Sequence, residues 1–526
     1  MAQATKVVQN FYRDSVSLMQ LSSALSSLPG VKQASAVMAS ETNLSLLREA
    51  GLLSGQVVAG PNDLLIALEG KDDSVLVTAL KQADTALHEE PRSAGGDGAP
   101  EAQPPRSIAM ALASNPLANL ALISTPGDYA SSEAMKALRL GLNVMLFSDN
   151  IAVEDEVALK ELAREKGLLL MGPDCGTAII NGVPLAFANV VRRGSIGCVG
   201  ASGTGLQQVT CLVDRLGLGV SQAIGTGGHD LHKSVGGITM LQGIEALGAD
   251  RETKVLVLIS KPPAPEVADK VLAAASRVGK PVVVNFIGAD PASIRGRNLY
   301  AVKTLEDAAH AAVSLAKGRK PSSRARPAPS VALPRLAAEQ RYVRGLYSGG
   351  TFCHEASMLL GEQLGQVWSN APVRAGDSLA DVWKSREHTV IDLGDDVFTR
   401  GRPHPMIDHR LRNERILAEA SDKEVAVILL DIVLGYGAHA DPAGQIVPVV
   451  AQARARAAKR KRRIAFVGFV CGTPTDPQGL SLQEDALRKA GMLLAVSNAE
   501  AVRLAARIAS RGQSAKRQVS RSGASR

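Results

Sequence analysis

The residue types best suited to chemistry stand in glycine-rich loops in the middle of the chain. Ala201-Ser202-Gly203-Thr204-Gly205 follows the apolar run Ile196–Gly200. Leu206, Val209, Leu212, Val213 and Leu216 then recur at helical spacing. Thr204 and Gln207 stand three apart, the spacing of a capping box. The pattern predicts a strand, a small-residue loop and a capped helix. Such a loop turns backbone N–H groups and the positive end of a helix dipole toward one point, where an anion is favoured. Glycines that only make a tight βα turn would give the same pattern.

A second loop follows the strand Val220–Ile224 and reads Gly225-Thr226-Gly227-Gly228-His229-Asp230-Leu231-His232. Histidine titrates near neutral pH, so His229 and His232 are candidates for phosphate contact, general acid work or carriage of a phosphoryl group. Polar residues after a Gly-Gly turn also serve as helix caps, and Asp230 is placed to orient either ring or to solvate the turn. A third loop, Ser348-Gly349-Gly350-Thr351, joins a strand at Arg344–Ser348 to a helix at Phe352–Leu364. It repeats the device around Ser202, and two helix starts facing one anion hold it better than either alone.

Other candidates lie at strand ends. Asp174 and Cys175 belong to Gly172-Pro173-Asp174-Cys175-Gly176, and Cys175 is a better nucleophile candidate than Cys198, which lies inside an apolar strand as core filler. Asp392, Asp395, Asp396 and Asp431 carry the hard oxygen ligands that Mg²⁺ prefers beside a phosphate, or are turn carboxylates. Arg400 and Arg402, near His404, offer a bidentate grip on a carboxylate substrate, or are solvated loop charges. His439 lies in Asp431–Asp441 (DIVLGYGAHAD), whose glycines suit close approach of a ligand.

The elements that must position these residues follow from composition and rhythm. The 526 residues are 45% hydrophobic and 21% charged, an ordinary globular balance, with only 3% aromatics. No apolar run approaches the ~20 residues that span a bilayer. The first residues lack the apolar core of a signal peptide, and the five widely spaced cysteines suit a reducing compartment. The expectation is a cytoplasmic protein without membrane contact. Its net charge of +8 is concentrated in Arg454–Arg463 and in the tail from Arg511. The first reads as the outer face of a helix. The tail, 512–526, reads as disordered and basic. No nucleic-acid reading module accompanies the charge, so a nucleic-acid partner is not expected.

Residues 1–88 read as a small αβ unit whose first strand is Val7–Phe11. Two stretches, 89–106 rich in proline, glycine and charge and 319–334 rich in proline, read as linkers. From Ser107 onward strands and helices alternate, which predicts parallel sheets covered on both faces. The last domain, 335–511, repeats the rhythm.

Residues 107–317 resemble the α subunit of succinyl-CoA synthetase. The resemblance runs through Gly172–Gly176, Gly197–Gly205 and Ile224–Gly228. Residues 341–510 resemble the C-terminal domain of that enzyme's β subunit, through Ser348–Thr351, Val390–Gly394, Ala426–Gly435 and the final strand–helix pair. Fused in one chain behind an N-terminal unit, they resemble the FdrA family of acyl-CoA synthetase-like proteins. The implied fold is α/β, multidomain and doubly wound. It comprises a CoA-binding Rossmann-like domain at 107–193 and two flavodoxin-like ligase domains at 194–318 and 335–511.

In that family two helix starts cradle a phosphate on a histidine carried after the strand matching Val282–Phe286. Here the corresponding segment, from Ile287 to Asp307, contains no histidine. An ATP-grasp module and a clear G-x-x-G turn for coenzyme A after the first strand are likewise missing from the pattern. The implied donor is therefore already activated, an acyl or carbamoyl phosphate, held by Ser202, Gly203, Thr204, Gly205, Ser348, Gly349, Gly350 and Thr351. Gly227, Gly228, Asp174, Cys175, Arg400, Arg402 and His439 are the implied contacts for substrate or for CoA. Mg²⁺ would fall to Asp392, Asp395 and Asp431. The expected partners are a small carboxylate or amide substrate, other subunits and further copies of the chain. The alternatives are a CoA ligase completed by a separate nucleotide-binding partner, and an anion-binding scaffold without catalysis.

Overall fold

The computed structural model describes residues 2–55, 57–88, 105–322, 331–337, 339–400 and 402–523, with backbone alone beyond 510. Most of the stretch 89–106 and half of 319–334, both read as linkers, fall outside these residues. The chain forms two units, Met1–Asp174 with Asp396–Asp408, and Cys175–Asp395 with His409–Arg526.

The first unit opens with β1 (Ala2–Val8), α1 (Ser15–Ser26), β2 (Val31–Met38), α2 (Glu41–Glu49), β3 (Leu64–Gly70) and α3 (Asp73–His88). The three strands form an antiparallel sheet in the order β1-β3-β2. Central β3 is apolar on both faces: Leu64, Ile66 and Leu68 pack toward α1 and α3, and Leu65 and Ala67 toward α2. A strand covered on both sides loses alternation and reads as a continuous apolar run. The first strand is Ala2–Val8 rather than Val7–Phe11, because pairing from Ala2 opposite Gly70 to Val8 opposite Leu64 fixes its register. Asn10 then turns the chain with φ 51°. Next come α4 (Ile108–Ser114), β4 (Leu120–Ile123), α5 (Gly127–Arg139), β5 (Asn143–Leu146), α6 (Val153–Glu165) and β6 (Leu170–Met171), with a parallel sheet β4-β5-β6.

The second unit holds two doubly wound sheets. The first contains the hairpin β7 (Thr177–Ile180) and β8 (Val183–Ala186), then β9 (Arg193–Ala201), α7 (Gly203–Arg215), β10 (Val220–Gly225), α8 (Ile238–Ala249), β11 (Val255–Ser260), α9 (Pro265–Arg277), β12 (Val282–Phe286), β13 (Leu299–Ala301) and α10 (Leu305–Ala316). Its order is β13-β12-β11-β9-β10-β7-β8. The second contains β14 (Tyr342–Tyr347), α11 (Gly350–Leu364), β15 (Thr389–Asp392), α13 (Arg410–Glu419), β16 (Val425–Val433), α14 (Pro442–Lys459), β17 (Ala465–Cys471), α15 (Leu480–Lys489), β18 (Leu493–Ala495) and α16 (Asn498–Gly523); the short α12 (Asp396–Thr399) belongs to the first unit. Its order is β15-β14-β16-β17-β18, all parallel.

Leaving the β7–β8 hairpin aside, both sheets have the flavodoxin-like order 2-1-3-4-5. In each, the strand order reverses beside the first strand, β9 or β14. Ligands of open α/β sheets bind at the carboxyl ends of strands where the order reverses. The helices that start at those two places are α7 and α11. One expectation needs correction here, and one feature was missed. The tail read as disordered continues α16 as helix to Gly523, since Ala, Arg, Gln and Lys favour helix and no proline interrupts them. The β7–β8 hairpin was not legible as separate strands. Arg454, Arg456 and Lys459 do lie on the exposed face of α14.

Candidate functional site at two helix starts

β9 ends at Ala201, and Ser202 caps α7: its Oγ accepts from the Gly205 N–H at 3.0 Å. The expected box of Thr204 and Gln207 is not the cap. Gln207 is buried within the helix, where its Nε2 donates to Asn189 Oδ1 at 3.2 Å. Thr204 has a different use. A Cβ placed on Gly349 would lie 2.8 Å from Thr204 Cγ2, so α11 can begin this close to α7 only with glycine there. The closest polar link is Ser202 Oγ to Thr351 Oγ1 at 2.7 Å, both side chains being buried. The first turns of α7 and α11 therefore meet.

The two helix starts are not equivalent. At α11 the N–H groups of Ser348 and Gly349 and the Ser348 hydroxyl all donate to Asp431, at 2.9 Å each. Asp431 stands in the middle of β16 with no exposed surface, and Arg412 of α13, equally buried, donates to its carboxylate at 2.9 Å and to its carbonyl at 2.7 Å. Burial pushes the Asp431 carboxyl upward, while Arg412 and the Ser348 and Gly349 donors pull it back. Asp431 thus serves as a built-in anion at the start of α11. It is committed to Arg412, and among the described residues no group of three or more His, Cys, Asp or Glu has metal-ligand spacing. The expected Mg²⁺ ligands Asp392, Asp395 and Asp431 do not make such a group.

Two charges flank Gly350. A Cβ there would lie 2.5 Å from Asp392 Oδ2 and 3.7 Å from the Lys261 ammonium nitrogen. Lys261 is the first residue after β11. Burial pushes the Asp392 carboxyl up to about 6, against the pull of Lys261 and of the Gly394 N–H. One turn into α11, burial and then Lys261 push His354 down to about 4, and its Nε2 has no hydrogen-bond partner. That nitrogen lies 3.7 Å from where a Cβ on Gly288 would sit, beside the loop that follows β12. Neither Lys261 nor His354 stood out in the sequence, although a lysine directly after an apolar strand is a legible signal.

The remaining expected site residues fall as follows. His229 and His232 are exposed on the turn after β10, with ring centroids 5.0 Å apart. Asp230 is buried and accepts from the N–H groups of Thr239 (3.1 Å) and Met240 (2.9 Å), supplying the cap for α8 that Gly237 lacks. Gly227 makes the turn with φ 88°, and exposed Gly228 follows. Cys175 is buried with its thiol toward the carbonyls of Thr177 and Gly225. Asp174, in the first unit, takes φ 54° after the cis bond Gly172–Pro173. Arg400 and Arg402 also belong to the first unit, and exposed Arg400 pairs with Glu49 at 3.9 Å. His439 accepts from the Asp441 N–H at 2.9 Å.

The resemblance places coenzyme A after the first strand of the Rossmann-like part, where α5 begins. A Cβ on Gly127, the first residue of α5, would lie 2.4 Å and 2.6 Å from the carbonyl oxygens of Asp149 and Asn150. The start of α5 therefore packs against the loop after β5 too closely for any residue but glycine.

Comparison with known proteins agrees with the fold. A family model described as CoA-ligase matches residues 346–508, one described as CoA binding domain matches 191–288, and one described as AllF, heavy metal-associated domain matches 1–104. The CoA-binding match thus falls on the sheet around β9 rather than on 107–193. Residues 1–104 contain no cysteine. The chain is 43% identical to the uncharacterized protein YahF of Escherichia coli (strain K12) over 96% of this chain and 98% of that one. It is 30% identical to the α subunit of succinate–CoA ligase [ADP-forming] of Aquifex aeolicus, over 32% of this chain and 57% of that subunit. The solved acetyl-coenzyme A synthetase 1 of Ca. Korarchaeum cryptofilum aligns at 15% identity over 76% of this chain and 84% of that one, with a TM-score of 0.32, too low to carry an argument. No described helix is long and apolar enough to cross a membrane. Near-full-length identity to YahF, with CoA-ligase and CoA-binding models on the two flavodoxin-like sheets, places the chain in the acyl-CoA synthetase-like, FdrA-type family.

Proposed function

We propose that this chain transfers an acyl or carbamoyl group from a phosphorylated donor whose phosphate lies where α7 and α11 begin. The observation that carries the reading is the 2.7 Å bond between Ser202 and Thr351, which brings the two helix starts together. First-turn N–H groups have no intrahelical acceptor, and the dipoles of both helices favour negative charge at this point. Lys261 adds a full positive charge beside Gly350. Donors fixed before the reaction stabilise charge that grows on a leaving phosphate without reorganising. Because Asp431 already occupies the Ser348 and Gly349 donors, the phosphate falls mainly to Gly203, Thr204, Thr351 and Lys261. His229, on the adjacent loop after β10, is the proposed general acid.

A second reading, a CoA ligase completed by a nucleotide-binding partner, draws on the CoA-binding match at 191–288. Thermal stability of the purified chain with phosphate, carbamoyl phosphate, acetyl phosphate, CoA and Mg-ATP separates the two. A ligand that binds only the folded state raises the melting temperature by mass action. Stabilisation by phosphate and the acyl or carbamoyl phosphates supports transfer from an activated donor. Stabilisation by CoA or Mg-ATP alone returns the chain to the ligase reading.

A further inference from the structure

Arg412 carries a second connection that the phosphate site does not use. Its Nη2 lies 2.7 Å from His409 Nδ1, and both residues are buried, His409 to 3% exposure. A guanidinium can only donate, so His409 Nδ1 must accept, and the neutral ring carries its proton on Nε2. Protonating Nδ1 would set N–H against N–H. Burial, Arg412 and His439 all hold His409 well below the usual histidine range, in agreement with that tautomer. The Nε2–H it presents is buried and has no acceptor. An orphaned donor of this kind costs about 1–3 kcal/mol.

His439 faces it, with ring centroids 5.5 Å apart and planes inclined by 63°. The Asp441 N–H donates to His439 Nδ1, so the neutral form of this ring also presents Nε2–H. Two rings fixed through unrelated partners thus offer the same donor, buried at His409 and partly exposed at His439. An edge-on N–H···π contact between them is a weak substitute for an oxygen acceptor. The loop bearing His439 follows β16, at the edge of the sheet where its order reverses. Gly435 and Gly437 turn that loop with φ 102° and 78°, and Tyr436 and Ala440 beside them are exposed. A solute therefore has a way to His439. His409 is tied through Arg412 and Asp431 to the start of α11.

The geometry points to His409 and His439 as a paired N–H clamp for a carboxylate, the binding subsite of a small acid. The identification of that acid as the acceptor of the transfer rests on the proposed function; the clamp itself does not.

Nitrogen-15 spectra of the full chain labelled at histidine, titrated separately with acetate, succinate and inorganic phosphate, test this. Carboxylates are expected to shift the Nε2–H signals of His409 and His439 saturably, and His439→Phe to weaken carboxylate binding by about tenfold or more. The phosphate response of the melting temperature is expected to survive in that variant. If His439→Phe does not fold, His439→Asn keeps an acceptor for the Asp441 N–H and withdraws the Nε2–H. Unmoved histidine signals, signals that report an internal water only, or carboxylate binding unchanged in the variant would overturn the clamp. Loss of the phosphate response with the carboxylate response intact would overturn the proposed function and leave the clamp standing.

Discussion

Ser202 Oγ and Thr351 Oγ1, 149 residues apart in sequence, lie 2.7 Å from each other and join the starts of the two helices that begin where each sheet reverses its order. Ser202 does not need Thr351 to hold its own helix, since its cap on Gly205 is separate. Thr351→Val keeps the shape and removes the bond. A cost of about 1 kcal/mol is expected, a drop of roughly 1–2 °C in melting temperature for a unit of this size. Weaker phosphate binding should accompany it, measured by calorimetry.

Asp431 and Arg412 make a fully buried ion pair whose carboxylate also receives Ser348 and Gly349. Removing one member leaves an uncompensated buried charge, which costs about 3–5 kcal/mol. Arg412→Met should therefore lower the urea midpoint far more than truncation of an exposed arginine such as Arg454. Equal midpoints would show that the pair does not hold the start of α11.

Asp392 gives the account a pH dependence. Its folded carboxyl titrates near 6, above the ordinary 3.8, so folding takes up a proton between those values. Its stability contribution is greatest at low pH and declines as pH rises through 6, by up to about 3 kcal/mol. Asp392→Asn should accordingly gain stability over the wild type at pH 8 and lose that advantage below pH 4. An incoming dianion favours the protonated form. Sulfate, which does not titrate in this range, should bind more tightly at pH 5.5 than at pH 8, and the slope should flatten in Asp392→Asn.

His229 and Asp230 are adjacent but separable. Asp230→Ala removes the acceptor for the Thr239 and Met240 N–H groups and should cost about 1–2 kcal/mol in chemical denaturation. His229→Ala, at an exposed turn, should leave stability unchanged and slow turnover of an acyl or carbamoyl phosphate. A stability loss in His229→Ala, or turnover equal to the wild type, would remove its assignment as general acid.

Both strand–loop–helix devices were legible because apolar runs ending in small residues leave few alternatives. The order of the strands, and so the meeting of Ser202 with Thr351, depends on pairings that no local pattern encodes. Arg412 lies in Arg410-Leu-Arg-Asn-Glu-Arg415, which reads as a solvated helix face, yet Arg412 and Arg415 are buried with carboxylate partners. Charge alone does not reveal which arginine turns inward. Asp431 sits in VAVILLDIV, where every residue is buried, and that apolar context was the available sign of an internal carboxylate. Asp230 reads from the sequence as orienting a histidine ring or solvating the turn, and the Thr239 and Met240 bonds give it a cap instead.

The most direct test is to locate an anion. Gly203→Asp is the matched control: a Cβ there meets only Thr177, at 3.2 Å, and an acidic residue suits the first turn of α7. The variant should fold and fill the cradle with its own carboxylate. Crystals of both proteins soaked in tungstate are expected to show an anomalous peak between the first turns of α7 and α11 in the wild type and none there in the variant. No peak in the wild type, or a peak that persists in Gly203→Asp, would contradict the account.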